Sequence, residues 1–253
     1  MGKLVAKAAA NIFSLCYLPG QECLLAGNMN GGLHWIYPRD TSLNKNIAHH
    51  HKGIYAILPL GAHFLTAGGD GVLTRWSIQD TRTVESVELS HESLRSIAYS
   101  EARNELAIGA SDGCIYILAA DTLAIRHIQR QAHAFSVFSV RYSPDGRYLV
   151  SGGRDAHLKV WECRPDWVCI SDQPAHWYAI NSIAFEPGGN RFATASRDKT
   201  IKIWDAMTFQ LLKVLDPVRS RGHIRSVNVL LWSAYEDQLI SGSDDRSLGV
   251  WKG

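Results

Sequence analysis

Three stretches of the chain carry the same kinds of residue at identical spacing. The sets are His133, Ser151, Asp155 and Trp161; His176, Thr194, Asp198 and Trp204; and His223, Ser241, Asp245 and Trp251. Within each set the successive offsets are 18, 4 and 6 residues. A register kept through otherwise different sequence means that one small structural unit is built repeatedly. We therefore expect a repeat fold.

Weaker copies of the pattern precede these three. Their closing positions are held by Ile36 (with Asn30), by Trp76 (with Asp70 and Thr66) and by Leu118 (with Asp112 and His91). The six closing positions, at 36, 76, 118, 161, 204 and 251, are 40, 42, 43, 43 and 47 residues apart. This spacing leaves no room for an inserted domain, so residues 1–253 are predicted to form a single domain of six repeats.

Alternating apolar and polar residues within the copies, as in the run from Leu158 to Trp161, have the period of a β-strand. The segments from Leu149 to Trp161 and from Phe192 to Asp205 resemble the signature of the WD-repeat family. The resemblance covers nearly the whole chain and extends to single-domain bacterial members of the family. It implies an all-β fold, a β-propeller of four-stranded antiparallel blades. It also implies that each set of four is a buried tetrad, in which Asp orients His, His reaches Ser or Thr, and Trp closes the network.

Such bacterial members typically carry seven repeats, and six are visible here. The chain is predicted to be a closed six-bladed ring; the alternative is a seven-bladed member that lacks one N-terminal repeat. The sixth copy has no outer strand after Trp251. Residues 1–10, in which Lys3 to Ala9 have the length of a strand, are therefore expected to pair with the last blade and to protect its edge.

Asp155, His133 and Ser151 are also the residue types of a nucleophilic triad. A catalytic triad occurs once at an accessible site, whereas this set recurs three times with a Trp in the same register, so we expect a structural role and no catalytic residue. The run from His49 to His51 is a candidate metal site, but adjacent residues on an extended chain point in opposite directions. His49, which lies 21 residues before Asp70, is expected to fill the His position of the second repeat, and the other two are expected to be loop residues. No metal and no cofactor are expected.

Partners of the resembling family bind where the turns of the blades meet the rim of the central channel. The positions that correspond to this face lie five residues after each tetrad His or at the aligned site in the weaker copies, and just before each tetrad Asp or its equivalent. The predicted partner-binding face is made of Phe13, Tyr55, Arg95, Phe138, Arg154, Asn181, Arg197 and Asn228. Aromatic residues and arginines are enriched at interface hot spots. A peptide with an apolar anchor and acidic or phosphorylated neighbours would suit such a face.

Net charge and cysteine content narrow the remaining functions. A formal net charge of +2 is too small to favour nucleic acid as the partner. The five cysteines have no CxxC spacing, and no apolar run approaches the length of a membrane-spanning helix, so a cytoplasmic protein is expected. The leading interpretation is a non-catalytic scaffold for proteins or peptides. The alternatives are a nucleic-acid-binding propeller and an enzyme with its site at the central channel.

Overall fold

A computed structural model describes residues 6–8 and 10–252, which fold into antiparallel β-sheets joined in chain order. The first sheet contains β1 (Ile12–Leu18), β2 (Cys23–Asn28), β3 (Gly32–Ile36) and β4 (Lys45–Ala48). The second contains β5 (Ile54–Leu60), β6 (His63–Gly68), β7 (Val72–Ser77) and β8 (Arg82–Glu88). The third contains β9 (Leu94–Ser100), β10 (Glu105–Ala110), β11 (Ile115–Ala119) and β12 (Ile125–Gln129).

The remaining sheets follow the same plan. The fourth contains β13 (Val137–Tyr142), β14 (Tyr148–Gly153), β15 (His157–Glu162) and β16 (Val168–Pro174). The fifth contains β17 (Ile180–Phe185), β18 (Arg191–Ser196), β19 (Ile201–Asp205) and β20 (Leu211–Leu215). The sixth contains β21 (Val227–Ser233), β22 (Gln238–Ser243) and β23 (Leu248–Lys252). Short 3-10 turns occur at Pro19–Gln21 and Thr41–Leu43. The predicted fold class, an all-β six-bladed propeller, is confirmed.

The turn that joins the second and third strands of each sheet has one conformation in all six repeats. The residue after the tetrad Asp, or after its counterpart, has a positive φ at Gly31, Gly71, Gly113, Ala156, Lys199 and Arg246. At Gly71, for example, φ is +81°, and an added Cβ would collide with the carbonyl oxygen of Ser90. Glycine adopts this conformation without strain. Glycine therefore relieves strain in three of the repeats, whereas Ala156, Lys199 and Arg246 adopt the same backbone conformation with a side chain.

The chain divides into two compact units. The first contains the described residues up to Ile97 together with Ala110–Asp112, and the second contains Ala98–Gly109 and Gly113 onwards. In the first unit, a buried cluster joins Leu25, Leu33 and Trp35 of the first sheet to Phe64 and Trp76 of the second. The second unit buries corresponding clusters between its successive sheets. In both units the core lies between the faces of neighbouring sheets.

The predicted closing positions all fall on the third strand of a sheet, from Ile36 in β3 to Trp251 in β23. In the described part of the chain the sixth sheet has three strands, whereas each of the others has four. The strand predicted over residues 1–10 falls largely on residues 1–5 and 9, which lie outside the described residues. Residues 6–8 and Ala10 belong to no strand. The pairing predicted for this segment stays a prediction.

Candidate functional site

The predicted tetrad of the fourth sheet is assembled as a continuous hydrogen-bond chain. His133 Nδ1 lies 2.9 Å from Asp155 Oδ1, and His133 Nε2 lies 2.8 Å from Ser151 Oγ. The indole N–H of Trp161 donates to the same Ser151 Oγ at 2.9 Å. Ser151 is fully buried beneath this indole. Its hydroxyl is therefore engaged on both sides and out of reach of a substrate.

The fifth and sixth sheets repeat this geometry. His176 bonds Asp198 Oδ2 at 2.9 Å and Thr194 Oγ1 at 2.7 Å, and Trp204 Nε1 donates to Thr194 Oγ1 at 2.9 Å. In the sixth sheet the corresponding distances among His223, Asp245, Ser241 and Trp251 are 3.0, 2.8 and 2.8 Å. The placement of all twelve predicted tetrad residues supports the structural role and gives no support to a catalytic one.

A fourth complete tetrad lies in the second sheet and corrects the sequence analysis. His50, and not His49, holds the histidine position: its Nδ1 is 3.0 Å from Asp70 Oδ1 and its Nε2 is 2.8 Å from Thr66 Oγ1. Trp76 Nε1 donates to Thr66 Oγ1 at 2.9 Å. The neighbouring His49 bonds Thr74 Oγ1 at 2.9 Å instead. The histidine run thus contributes one member to a structural network.

The first and third copies have no complete tetrad. His91 was assigned to the third copy, but its side chain is almost fully exposed and pairs with Glu88. Ser90 is the residue that bonds Asp112, at 2.7 Å. In the first copy the exposed Asn30 does not take the aspartate role; the side chain of Asn28 accepts the turn N–H of Gly32 at 2.9 Å. Both assignments from sequence were wrong.

In the fifth sheet, the tetrad holds an ionised Asp198 carboxylate against a His176 imidazole that is neutral at neutral pH. Burial raises the pKa of the Asp155 carboxyl, but hydrogen bonds from His133 and from the N–H groups of Ala134 and His157 outweigh this and lower the pKa to about 2. The pKa of Asp198 is lowered in the same way. Burial lowers the pKa of the imidazole of His176 below its usual value, although Asp198 acts in the opposite direction.

We expect the free energy of unfolding to fall as the pH is lowered from about 7 to about 5. Burial lowers the pKa of both His50 and His176 in the fold, so below about pH 6.5 the unfolded chain takes up more protons than the native one. Each histidine can contribute a slope of up to about 1.4 kcal/mol per pH unit. Urea denaturation at several pH values in this range measures the free energy of unfolding. A stability that stays the same or rises as the pH is lowered would contradict the prediction.

Other features offer little chemistry. Among the described residues, no group of three His, Cys, Asp or Glu side chains is placed to hold a metal ion, and no helix is long and apolar enough to cross a membrane. A groove of about 350 Å³ opens in the first unit. Its lining contains no acidic, basic, thiol or phenol side chain: Leu18, Gly20, Gln21, Pro59, Gly61, Ala62, Ile78 and Gln79. The groove therefore provides no acid–base pair.

Three of the eight residues predicted for partner binding meet in the first unit. The rings of Phe13 and Tyr55 stack with centroids 5.3 Å apart and an interplanar angle of 7°. The guanidinium carbon of Arg95 lies 3.8 Å from the centroid of the Tyr55 ring. Phe13 is exposed, whereas Tyr55 and Arg95 are half-buried. This stack is a rigid, partly exposed feature, because each ring contact limits the motion of the next side chain.

The other five predicted residues lie in the second unit and differ in their surroundings. Phe138 is half-buried and Arg197 is exposed. Arg154 lies over the ring of Phe135, 5.6 Å from its centroid. Asn181 donates to the carbonyl oxygen of Val227 at 2.9 Å, and Asn228 donates to Asp244 Oδ1. The two asparagines therefore tie neighbouring turns together, while Arg154 and Arg197 are accessible.

The predicted partner-binding face leaves out a set of exposed apolar side chains in the same turns of the second unit. They follow the tetrad histidines by one or two residues: Phe135, Trp177, Tyr178 and Ile224. Trp177 is 88% exposed although its N–H donates to Asp198 at 3.1 Å. The available signal was positional, since a large apolar residue stands one or two places after the tetrad His in all three sheets. We call these four residues the apolar row.

Comparison with known proteins identifies the repeats. Residues 126–162, 167–205 and 212–252 match the family described as "WD domain, G-beta repeat". Each of these three segments contains one complete tetrad, that of the fourth, the fifth and the sixth sheet in turn. The match therefore agrees with the hydrogen-bond geometry of these tetrads.

Curated relatives are longer proteins. The chain is 27% identical over 166 residues to "Cilia- and flagella-associated protein 43" of Xenopus laevis, a match that covers 62% of the chain and 10% of the relative. It is 29% identical over 101 residues to "Periodic tryptophan protein 2 homolog" of Mus musculus, which covers 39% and 11%. It is 30% identical over 104 residues to "WD repeat-containing protein SL1-17" of Schistosoma mansoni, which covers 41% and 34%.

The matched region therefore spans about a tenth to a third of the length of these relatives. They are eukaryotic proteins and give no support to the resemblance to bacterial single-domain members. The three matched repeats of this chain and its six antiparallel sheets are both consistent with a WD40 propeller. The chain belongs to the WD40-repeat β-propeller family.

Proposed function

We propose that this protein is a non-catalytic scaffold that binds a peptide segment of a partner protein across the apolar row. WD40 propellers typically act as interaction scaffolds and generally bind proteins. Fold alone does not give a function. The observation that carries this proposal is the exposure of Phe135, Trp177, Tyr178 and Ile224 at equivalent turns of three successive sheets.

Nothing in the architecture requires these side chains to be apolar. The turn backbone is already satisfied: Ala134, Trp177 and Ile224 each donate an N–H to the tetrad Asp of their own sheet. A polar side chain at any of these positions would leave that bond intact. Large apolar side chains that are exposed at equivalent turns are typical of an interaction surface. Aromatic anchors contribute most of the affinity at such surfaces.

Arginines border the apolar row. Arg154 and Arg197 precede the tetrad Asp of the fourth and fifth sheets, and Arg225 follows Ile224; all three are exposed. Guanidinium groups bind carboxylates and phosphates with paired hydrogen bonds. We therefore propose a peptide with an apolar anchor and acidic or phosphorylated neighbours, in keeping with the partner chemistry expected from the sequence.

Removing one anchor and one arginine should weaken peptide binding by at least about tenfold, which corresponds to about 1.4 kcal/mol. Peptides would be selected from a random display library on the wild-type protein, and their Kd measured by fluorescence anisotropy. We expect Trp177→Ala combined with Arg197→Glu to lose affinity for an acidic peptide. The control Leu212→Ala, on the exposed outer strand β20, should bind as the wild type does.

Selection of no peptide, or an equal Kd for the double variant, would contradict the proposal. A variant that loses acidic peptides but keeps neutral ones would assign recognition of the charge to Arg197. The predicted contributions of Phe13, Tyr55 and Arg95, and the cytoplasmic location, stay predictions.

A further inference from the structure

The connection that leads into the sixth sheet is longer than its equivalents in the second unit. Eleven residues, 216–226, join β20 to β21, whereas seven lead into β13 and five lead into β17. The extra length lies before the tetrad His223, in a segment that carries Arg219 and Arg221. We call residues 216–222 the arginine loop. The fold does not require this loop, since the other sheets are joined without it.

The arginine loop is held in one conformation by its own hydrogen bonds. Asp216 Oδ1 accepts the N–H groups of Val218 and Arg219, each at 2.8 Å. The carbonyl oxygen of Asp216 accepts the N–H groups of Ser220 and Gly222 at 3.2 and 3.1 Å. An added Cβ at Gly222 would lie 2.9 Å from the same carbonyl oxygen, so the loop closes tightly on Asp216. A loop that is already ordered loses little entropy when a ligand binds.

Four exposed arginines lie around the sixth tetrad: Arg219, Arg221, Arg225 and Arg246. Arg221 and Arg225 stand two residues before and two residues after His223. The hydroxyl of Ser243 donates to the carbonyl oxygen of Arg225 at 3.4 Å, and the N–H of Arg246 donates to the carbonyl oxygen of Ser243 at 3.1 Å. The backbone segments that carry the four guanidinium groups therefore meet at one tetrad.

The carboxylates of the same segments are already engaged by donors of the protein. Asp216 lies beside Arg219, but its Oδ1 holds the two N–H groups of the loop. Asp244 accepts a hydrogen bond from the side-chain amide of Asn228, and Asp245 belongs to the tetrad. In the described part of the chain, none of the four arginines forms an ion pair. Their positive charge is therefore available to an anionic ligand.

Arginines at the opposite end of the second unit's sheets are neutralised instead. Arg103 and Arg126 bond the carboxylate of Glu105 at 2.8 and 3.0 Å. Arg191 bonds Glu186 at 2.8 Å. Positive charge without a carboxylate partner is thus concentrated at the end that carries the apolar row.

We propose that the arginine loop, together with Arg225 and Arg246, binds the phosphate group of a phosphorylated residue in the partner peptide. A phosphorylated side chain carries about −1.5 to −2 charges at neutral pH and three acceptor oxygens. Guanidinium groups bind such oxygens with paired hydrogen bonds. A carboxylate offers one charge and two oxygens, so it would engage fewer of the four arginines. This inference rests on the proposed function and narrows it: the apolar row binds the residues that flank the phosphate.

Oriented peptide libraries test the phosphate site on the full chain. In one library every peptide carries a central phosphoserine between random residues, and in the matched library serine takes its place. We expect the immobilised wild-type protein to retain the phosphoserine library at least about tenfold more strongly, as one charge-assisted hydrogen bond would suffice to produce. Arg219→Gln with Arg221→Gln should reduce this preference at least about fivefold.

A matched control removes two exposed guanidinium groups from the opposite end of the same unit. Arg147→Gln with Arg164→Gln changes the net charge by the same amount and should keep the wild-type preference. All variants are melted beside the wild type. If the loop variant unfolded early, Arg225→Gln would repeat the test outside the loop, and an unchanged preference in that variant would overturn the proposal.

Equal retention of the two libraries by the wild type would also overturn it; if Trp177→Ala then weakened the retention of both, the proposed function would stand without a phosphate site. A phosphoserine preference that Trp177→Ala leaves unchanged would support the phosphate site and contradict the role of the apolar row. Equal losses in the loop and control variants would assign the preference to net charge. A uridine oligonucleotide that bound through Arg219 and Arg221, with no retention of the phosphoserine library, would assign these arginines to a nucleic-acid backbone. Either result would overturn the proposal.

Discussion

Replacing Asp198 with alanine should lower the free energy of unfolding by about 3–5 kcal/mol, because several buried donors lose a charged acceptor and each unsatisfied group costs about 1–3 kcal/mol. The carboxylate accepts four hydrogen bonds, from His176 Nδ1 at 2.9 Å, the N–H of Trp177 at 3.1 Å, and the N–H and hydroxyl of Thr200 at 2.9 and 2.6 Å. Its side chain is almost completely buried. Alanine would leave these donors without an acceptor inside the protein.

Chemical denaturation at neutral pH measures the loss as a shift in the transition midpoint at an unchanged slope. The conservative Asp198→Asn keeps an acceptor oxygen, so we expect it to cost only about 1–3 kcal/mol. The control Asp166→Ala removes an exposed carboxylate from the same unit and should stay within about 0.5 kcal/mol of the wild type. A loss below about 1 kcal/mol for Asp198→Ala would show that water or a rearranged turn replaces the carboxylate.

The fold could be predicted from the sequence because its strongest signal is also its strongest physical constraint. The offsets of 18, 4 and 6 place four polar groups within hydrogen-bond distance in one sheet, and buried polar groups tolerate no change of register. Three tetrads with this spacing were therefore placed correctly. The number of sheets followed from the spacing of the closing positions.

The tetrad of the second sheet was assigned to the wrong histidine because one connection is shorter. Only two residues, Gly61 and Ala62, join β5 to β6, whereas five join β13 to β14. The separation between the histidine and the hydroxyl residue falls from 18 to 16 as a result. In the third copy the register was intact: Ser90 precedes Asp112 by 22 residues, as His133 precedes Asp155. The error there came from preferring residue type over position.

The predicted partner-binding residues show a different limit. Asn181 and Phe138 occupy the expected positions, but position alone does not tell whether a side chain faces solvent or bonds the neighbouring turn. The side-chain amide of Asn181 donates hydrogen bonds to the hydroxyl of Ser226 and to the carbonyl oxygen of Val227. Phe138 is half-buried. Trp177 is not among the eight predicted residues, yet it is the most exposed tryptophan in the described part of the chain. The exposure of a side chain depends on how several sheets pack together, and the spacing of residues within one repeat does not contain this information.

Replacing Trp204 with alanine should lower the free energy of unfolding by about 3–5 kcal/mol, the usual cost of removing a buried aromatic side chain. Trp204 packs with Val150 and Leu158 of the fourth sheet and with Phe192 of its own sheet, and it donates to Thr194. Trp204→Phe keeps one six-membered aromatic ring at this position and loses the N–H donor together with the five-membered part of the indole. It should therefore cost about 1–2 kcal/mol, so that packing accounts for the larger share of the tryptophan's contribution.

Thermal and chemical denaturation of Trp204→Ala and Trp204→Phe, with Trp177→Ala as the control, separates the contribution of ring packing from that of the N–H donor. Trp177→Ala removes the same side chain from an exposed position one residue from a tetrad His, and we expect its stability to lie within about 0.5 kcal/mol of the wild type. Equal losses for Trp204→Phe and Trp204→Ala would instead mean that the indole N–H contributes more to stability than the packing of the ring. A large loss for Trp177→Ala would mean that the apolar row stabilises the fold, and the case for its role in peptide binding would fail with it.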